Sequence, residues 1–390
     1  MKTDGNYIYN GTVSQILDLV GWSAKVMVRN GESDTEAIKK IKEKYLGLNW
    51  LPPSDVFVFH LEVNLNPKVR KVRPPNSPNI TLENLDLLHA KSLTMNVVAS
   101  VIYSWYDPIG LICPLILKYK LLLSETIRSG VKWKDVLSEP LQLKWKTALE
   151  EAVRFGTLSF PRSVKPSGTV GSPTLIGYAD GSKVAFGAVL YLRWELGNPV
   201  QNHVILDRQG SSHVVTHRAG ILTAKAKVAK LENVPRNEIC GLVLLARLVT
   251  AVLPGLTDKP KSFLPILDSR CTIQSVEAES KILKDFFNNR CEEFDEHRRH
   301  WQEEGLVVEP IHYTASAENV ADLATKGNVV KKQLDESSTW QNGPDYLCYS
   351  RDTSWPINRD MLSGQNFIPE DEKIIRVFSL YARSFDPEMA

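Results

Sequence analysis

Four acidic residues in the C-terminal half have the types and positions that metal-dependent chemistry requires. Asp180, Glu238, Asp268 and Asp322 each lie at the edge of an apolar run, where a strand ends or a helix begins. A carboxylate near a hydrophobic core is costly unless a compensating charge accompanies it. Because carboxylate oxygens are hard ligands, four of them in one domain indicate a site for Mg²⁺ or Mn²⁺.

The same acids have a second, purely structural interpretation. Asp180 precedes Gly181, as an aspartate does in a tight turn, and Asp268 precedes Ser269, which is typical of a helix cap. A chain with 45 acidic residues offers many sets of four. The spacing alone therefore leaves both interpretations open.

The composition excludes several classes of protein. The 390 residues are enough for two or three domains, and the 43% hydrophobic and 24% charged residues are typical of a globular chain. A net charge of +2 requires any nucleic-acid surface to be a local basic patch. The five cysteines are scattered, with no CxxC pair, which favours a reducing compartment over disulfide or zinc modules. We expect neither a signal peptide nor a membrane span.

The first 165 residues predict a small α/β piece followed by helices. Residues 34–47 have the periodicity of an exposed, charged helix, and residues 56–65 alternate like a strand. Residues 66–79 form a basic, proline-rich connector. The pattern at 83–155 is helical, and the Pro, Ser and Gly residues at 165–173 mark a boundary.

The residues that follow this boundary predict a mixed sheet with flanking helices, which is an α/β fold. The Asp180–Gly181–Ser182 sequence predicts a tight turn between the first two strands. The periodicity predicts strands at 174–180, 183–194, 203–208, 220–229, 263–269 and 306–313, and helices at 237–253, 281–301 and 317–327.

This element order would bring the four acids together. If the strand ending at Asp268 is parallel to the strand ending at Asp180, both acids reach one edge of the sheet. Glu238 starts the intervening helix and Asp322 lies in the last helix, so we expect both at the same edge. Four carboxylates there could hold two divalent ions about 4 Å apart. Such a site suits phosphodiester hydrolysis, in which anionic charge develops.

Seven motifs occur in a fixed order along the chain. They are KYLGLNW at 44–50, ASVIYSWYDPIGLICPLILKYKLLLSE at 99–125, GYADGSKVAFGAVLYLR at 177–193, LTAKAKVAKLENVPRNEICGLVLLARL at 222–248, LDSRCT at 267–272, ENVADLATKG at 318–327 and WQNGPDYL at 340–347. In type and order they resemble the segment of BEL/Pao-type retrotransposon polyproteins that runs from the end of the reverse-transcriptase palm through the RNase H domain.

The resemblance implies an RNase H-like mixed sheet with flanking helices, preceded by a mostly helical thumb and connection region. The expected divisions are the palm tail and basic connector at 1–80, the thumb and connection at 81–165, the RNase H-like domain at 172–330 and a linker toward an integrase region at 331–390. No two aspartates are adjacent, so the paired acids of a polymerase site are absent from the sequence. We therefore expect a polyprotein fragment that starts after that site.

The resemblance also assigns site residues. His312 takes the place of a histidine that helps product release in such enzymes, although a histidine at a strand end is commonly structural. Leu267 stands where the family has an aromatic residue, and Asn237 interrupts its PRLEL motif. The family's ligands for two Mg²⁺ or Mn²⁺ ions fall on Asp180, Glu238, Asp268 and Asp322.

The leading hypothesis is an endoribonuclease of the RNase H type that cuts the RNA strand of RNA–DNA hybrids by two-metal hydrolysis. Lys225, Lys227 and Lys230 would contact phosphates, or else lie in a solvated loop. The expected partners are the hybrid and the polymerase palm of the same polyprotein, with no membrane. The expected location is the cytoplasm, with a virus-like particle or the nucleus as alternatives.

Two other functions compete with this hypothesis. The first is a non-catalytic, nucleic-acid-binding transposon remnant, which would keep the fold without binding metal. The second is an aspartic peptidase, a name this family region has also received. Aspartic peptidases need DTG or DSG loops, and the nearest strings, LDSRC at 267–271 and RDTSW at 351–355, lack the glycine.

Overall fold

The computed structural model describes residues 43–45, 48–66, 77–207, 210–277, 283–351 and 355–358. Its strands are β1 (Glu43–Tyr45), β2 (Leu48–Leu51), β3 (Val56–His60), β4 (Thr157–Pro161), β5 (Thr169–Gly181), β6 (Ala185–Leu206), β7 (Ser212–Val228), β8 (Ser262–Leu267), β9 (Val307–Val308), β10 (His312–Thr314) and β11 (Ile357–Asn358). Its helices are α1 (Leu85–Ala90), α2 (Met95–Ser104), α3 (Cys113–Arg128), α4 (Glu139–Phe155), α5 (Val234–Val252), α6 (Arg270–Glu277), α7 (Asp285–Glu303), α8 (Leu323–Lys326) and α9 (Thr339–Asn342).

A small antiparallel sheet takes up the N-terminal strands. β1, β2, β3 and β4 pair in that order, and Tyr45 lies opposite Leu48 in a tight hairpin. The helix predicted at 34–47 is therefore wrong for 43–45, because strand pairing overrides a weak helical propensity. The rest of that helix, the basic connector at 67–76 and the tail from 359 lie outside the described residues.

A larger mixed sheet carries the second half of the chain. Its strands lie in the order β11-β10-β8-β5-β6-β7, and β9 pairs with β8. β5, β6 and β7 are antiparallel neighbours, whereas β5, β8 and β10 are parallel. Ala179 lies opposite Leu267, so the carboxyl ends of β5 and β8 reach the same edge. The predicted RNase H-like mixed sheet with flanking helices is confirmed.

Three local predictions in this sheet need correction. Residues 203–206 belong to the far end of β6, because the hairpin with β7 extends to the Leu206–Ser212 pair. The strand predicted at 306–313 divides into β9 and β10, since Pro310 has no N–H to donate to a neighbouring strand. The turn after β5 closes one residue later than predicted, where the Ser182 N–H donates to Ala185 O at 2.8 Å.

The helix predicted at 317–327 is broken into shorter pieces. Two 3₁₀ turns, Ser316–Glu318 and Val320–Asp322, precede the single turn of α8. The Asn319 side chain accepts from Ala321 N at 3.2 Å and so competes with continuous helix. Gly327 ends α8 at φ 69°, as predicted for a C-terminal glycine.

Alternate residues of β5 face two hydrophobic cores. Ile176 and Tyr178 point into a core shared with α3 and α4. Leu175 and Ala179 point into a second core, which contains Leu245 of α5 and much of α7. The helical region therefore packs directly on one face of the mixed sheet, and α5 packs on the other. The domain limits expected at 81–165 and 172–330 stay a prediction.

Helix α5 is long and apolar. The Asn233 side chain caps its start by accepting from Arg236 N at 3.0 Å. The helix and the turn after it, Val234–Gly255, are long and apolar enough to cross a membrane, but half of the apolar window is buried within the fold. Leu242 and Leu245 are fully buried against the sheet, which explains the apolar composition by core packing.

Two glycines allow α5 to approach the end of β5 closely. A Cβ at Gly181 would lie 2.2 Å from the backbone N of Glu238. A Cβ at Gly241, one turn further along α5, would lie 2.7 Å from Asp180 O. Real Cβ atoms do not approach backbone so closely, so both positions require glycine.

We expect Gly181→Ala to lower the free energy of unfolding by about 2 kcal/mol, because the added methyl group must push α5 away from β5. Urea denaturation measures the change. Gly255→Ala is the matched control, since a Cβ there has no atom within 4 Å. Equal stability of the two variants would mean that α5 does not lie this close to β5.

Candidate metal and nucleic-acid site

Three of the four predicted acids meet at the shared edge of β5 and β8. Asp180 is the second-last residue of β5 and has 6% of its surface exposed, Asp268 follows β8 directly, and Glu238 lies near the start of α5. One carboxylate oxygen from each acid lies within 4.8 Å of the other two. Asp180 faces the α3 side of the sheet and Glu238 comes from the α5 side, so the acids converge from both faces.

Asp322 lies beside this acidic trio but does not belong to it. It ends the second 3₁₀ turn, and its carboxylate forms an ion pair with Lys326, one turn later. Its negative charge nevertheless contributes to the raised pKa values of Asp180 and Glu238. The fourth acid is therefore close to the trio and has its own counter-charge.

The segment that carries Asp322 also holds the trio in place. Asn319 is 3% exposed and donates to both Asp268 Oδ1, at 2.8 Å, and Ala179 O, at 2.9 Å. Ser316 donates to Asp268 Oδ2 at 2.5 Å, and the buried Thr325 hydroxyl donates to Asp180 Oδ2. No local sequence pattern distinguishes these three polar residues, although all lie in or beside the ENVADLATKG motif.

The two departures from the family pattern have defined places. Asn237 is 5% exposed and donates to Ser182 O at 2.7 Å and to Leu231 O at 3.1 Å. It thereby ties the start of α5 to the turn after β5. Leu267 is 2% exposed and packs in the α5 core. Both residues contribute to the fold that positions the trio.

The electrostatics of the trio favour protonated carboxyl groups or a bound cation. Burial, followed by the charges of Asp180, Asp268 and Asp322, raises the pKa of Glu238 to about 9. Burial raises the pKa of Asp180 to about 6, which Thr325 opposes and the neighbouring acids reinforce. Crowded carboxylates of this kind fit a divalent cation with oxygen ligands, which would favour their ionised form.

His312 is not among the residues that the structure brings together at the trio. It starts β10, where its Nδ1 lies 2.8 Å from Pro310 O and its Nε2 lies 3.0 Å from an Arg351 guanidinium nitrogen. The carbonyl must accept and the guanidinium must donate, so these contacts define a neutral ring with the proton on Nδ1. The product-release role stays a prediction.

Two of the three predicted lysines lie on a strand, so the solvated-loop interpretation is wrong for them. Lys225 and Lys227 belong to β7, opposite Ala188 and Phe186 of β6. The pKa of Lys227 is lowered by burial and then by the charges of Lys225 and Arg247, so it faces α5. Lys230 is exposed in the connection to α5.

The comparison with protein families confirms the predicted resemblance. Residues 94–269 match the Pao retrotransposon-like RNaseH-like domain. The match covers α2 to β8 and includes Asp180, Glu238 and Asp268. Residues 94–269 are therefore similar to a Pao-type, RNase H-like domain, and they include helices α2 to α4 of the preceding region. No curated protein matches the chain.

Solved RNase H structures are similar at low identity. The N-terminal RNase H domain of Rv2228c from Mycobacterium tuberculosis, solved as a fusion with maltose-binding protein, is 12% identical, with 38% of this chain and 86% of that chain covered and a TM-score of 0.26. RNase H1 from the halophilic archaeon Halobacterium salinarum is 10% identical, with 38% and 89% covered and a TM-score of 0.22. The fold assignment rests on the strand order and the family match, since these TM-scores are low.

In metal-free protein, we expect Glu238→Gln to flatten the dependence of stability on pH. The folded-state pKa values of Glu238 and Asp180, about 9 and about 6, exceed their ordinary values of 4.5 and 3.8. The native state therefore binds more protons than the unfolded state, and the contribution of both acids to stability is lost as pH rises through these values.

Melting temperatures measured in EDTA between about pH 5 and pH 9 test this expectation. The variant should exceed the wild type at the alkaline end, where a difference of about 1 kcal/mol corresponds to about 2–4 °C. Glu232→Gln, at an exposed position just before α5, is the matched control. Parallel plots of melting temperature against pH for the wild type and Glu238→Gln would contradict the crowding of carboxylates at the trio.

Proposed function

We propose that this chain is a ribonuclease H that cuts the RNA strand of RNA–DNA hybrids with the aid of divalent metal ions. The observation that carries the proposal is the acidic trio of Asp180, Glu238 and Asp268, whose oxygens lie within 4.8 Å of one another. The Pao-type, RNase H-like family match over the same residues supports it. Isolated surface acids would show neither the convergence nor the raised pKa values.

In the proposed reaction some residues of the chain would serve as metal ligands and others would orient those ligands. The trio would hold Mg²⁺ or Mn²⁺, and Asp322 would complete a set of four carboxylates for two ions. Such ions supply positive charge to a phosphodiester as anionic charge develops during hydrolysis. Asn319, Ser316 and Thr325 restrict the carboxylate rotamers, so little reorganisation is needed when a cation binds.

Substrate choice would depend on the shape of the hybrid and on 2′-hydroxyl contacts rather than on base sequence. Lys225, Lys227 and Lys230 are proposed contacts to its phosphates, and His312 is proposed to assist product release. The polymerase palm of the same polyprotein is a proposed partner of the helical region. These roles go beyond the family match, which covers residues 94–269 and describes a domain type only.

One contact favours the non-catalytic alternative. Lys326 already neutralises Asp322, so the described fold satisfies that acid without a metal ion. A remnant that only binds nucleic acid would keep this ion pair permanently. The peptidase alternative has no comparable support, because Asp268 is followed by Ser269 and Arg270 and lies among carboxylates from β5 and α5.

We expect the chain with Mg²⁺ to cut the RNA strand, and not the DNA strand, of an end-labelled hybrid. Asp180→Asn and Glu238→Gln should cut at least about 100-fold more slowly, since even indirect ligand contacts are worth 10–100-fold. Both variants should still bind the hybrid. Glu232→Gln should cut like the wild type.

The outcomes of this assay separate the hypotheses. Full cleavage by Glu238→Gln would place the site elsewhere. Hybrid binding without cleavage by folded wild-type protein would establish the non-catalytic remnant.

We also expect millimolar Mg²⁺ to raise the melting temperature, because a ligand that binds only the native state stabilises it. The gain is about 2.7 kcal/mol when the ion is at 100 times its Kd. Differential scanning calorimetry measures the shift, and Asp180→Asn with Asp268→Asn should abolish it. A wild-type protein that melts at the same temperature with and without Mg²⁺ would contradict the proposed metal site.

A further inference from the structure

The helical region and the mixed sheet enclose a cleft at the outer edge of β7. The loop between α2 and α3 docks on this strand, where Ile109 O accepts from Ala224 N at 3.0 Å and from the Thr223 hydroxyl at 2.7 Å. Beside this contact lies an open cavity of about 270 Å³, which we call the junction cleft. Its lining includes Tyr103, Asp107, Lys120, Lys225 and Leu248.

Two lysines in the lining of the junction cleft form no direct ion pair. In the described part of the chain these are Lys120 and Lys225, whereas other basic residues of α3, α4 and α5 are paired. Those paired residues are Lys118 with Glu151, Lys144 with Glu125, and Arg247 with Glu293. Like charges held together without a counter-ion favour an anionic ligand.

The one carboxylate in the lining does not neutralise this charge directly. Both oxygens of Asp107 accept backbone hydrogen bonds, Oδ1 from Leu111 N at 2.9 Å and Oδ2 from Ile112 N at 3.0 Å. The carboxylate therefore serves the loop that starts α3. Burial raises the pKa of Asp107 to about 6, which the backbone hydrogen bonds and the positive charge of Lys120 oppose.

An aromatic side chain stands at the edge of the same cleft. Tyr103 is 74% exposed, and Tyr106, at the start of the docking loop, is 54% exposed. Large apolar side chains exposed next to cationic ones are typical of surfaces that bind nucleic acid, because rings contact bases and sugars while lysines contact phosphates. Charge and ring together favour a nucleic-acid strand over a small anion.

The register of the sheet places the cleft at a suitable distance from the acidic trio. Asp180 lies opposite Gly187 of β6, and Gly187 lies opposite Ala226 of β7, which lines the cleft. Two strand spacings separate Asp180 from Ala226 by about 10 Å. The grooves of B-DNA are about 6–12 Å wide, so for a duplex of similar size one strand at the trio would bring the other strand close to β7.

We propose that the junction cleft is a second contact for the RNA–DNA hybrid, in which Lys120, Lys225 and Tyr103 hold the sugar-phosphate backbone of one strand while the other lies at the acidic trio. The proposal rests on the ribonuclease function proposed above. It assigns the helical region a direct part in binding substrate.

The test measures binding of a fluorescent RNA–DNA hybrid to the full chain, in EDTA, over a range of salt concentrations. Lys120→Gln with Lys225→Gln should weaken binding on the order of tenfold and lower the slope of log K against log[salt] by about two, since each phosphate contact contributes about 0.9. Lys225→Gln alone and Tyr103→Ala should each weaken binding less. Melting temperatures should match the wild type.

The matched control is Lys134→Gln, which removes the same charge from an exposed lysine outside the cleft that also forms no ion pair among the described residues. Equal binding by the cleft variants and the wild type, or equal losses in the control, would overturn the proposal. A cleavage assay with the same hybrid tests the ribonuclease proposal separately from the binding result. If the wild type cuts the hybrid and the cleft variants bind it equally well, only the cleft proposal is wrong. If the cleft variants bind the hybrid more weakly and the wild type does not cut it, only the ribonuclease proposal is wrong.

Discussion

The close backbone contact between β5 and α5 is the constraint on which the candidate site depends. Gly181 and Gly241 remove the side chains that would separate the two elements. The contact sets Glu238 against Asp180, and the parallel pairing of β8 adds Asp268. Without a cation, this packing forces like charges together in a poorly solvated place, which raises the pKa values of Asp180 and Glu238. The same geometry that destabilises the metal-free site fits the proposed binding of a divalent ion.

The segment around Asn319 links this edge to the rest of the fold. Asn319 bonds to the ends of β5 and β8 at once, and Thr325 bonds to Asp180 from the face opposite α5. The segment departs from regular helix because these side-chain bonds compete with the helical backbone pattern. The segment lacks a continuous helix because its side chains form hydrogen bonds to Asp180, Asp268 and the end of β5 instead.

The sequence was sufficient for the sheet, most helices and the three acids that the structure brings together, because buried strands and carboxylates at strand ends leave strong local patterns. It was insufficient where distant residues decide the structure. His312 is fixed by Arg351, 39 positions away, and the helix predicted over 43–45 gives way to pairing with β2. The polar supports of the trio come from a segment some 140 residues after Asp180 in the chain. Only the tertiary fold shows which hydroxyl or amide reaches which acid.

A site made of carboxylates can hold metal ions for hydrolysis. It contributes little affinity for a polyanion by itself, because the carboxylates repel phosphate groups until cations bind. Under the proposed function, affinity for the hybrid would come from positive surfaces nearby. In the part of the chain that the structure describes, such a surface forms where β7 meets the loop that leads into α3, and neither element provides it alone. The helical region and the sheet also share a hydrophobic core, which fixes their relative position. The family match runs across both, from residue 94 to residue 269, so a single family model includes the helical region as well as the sheet.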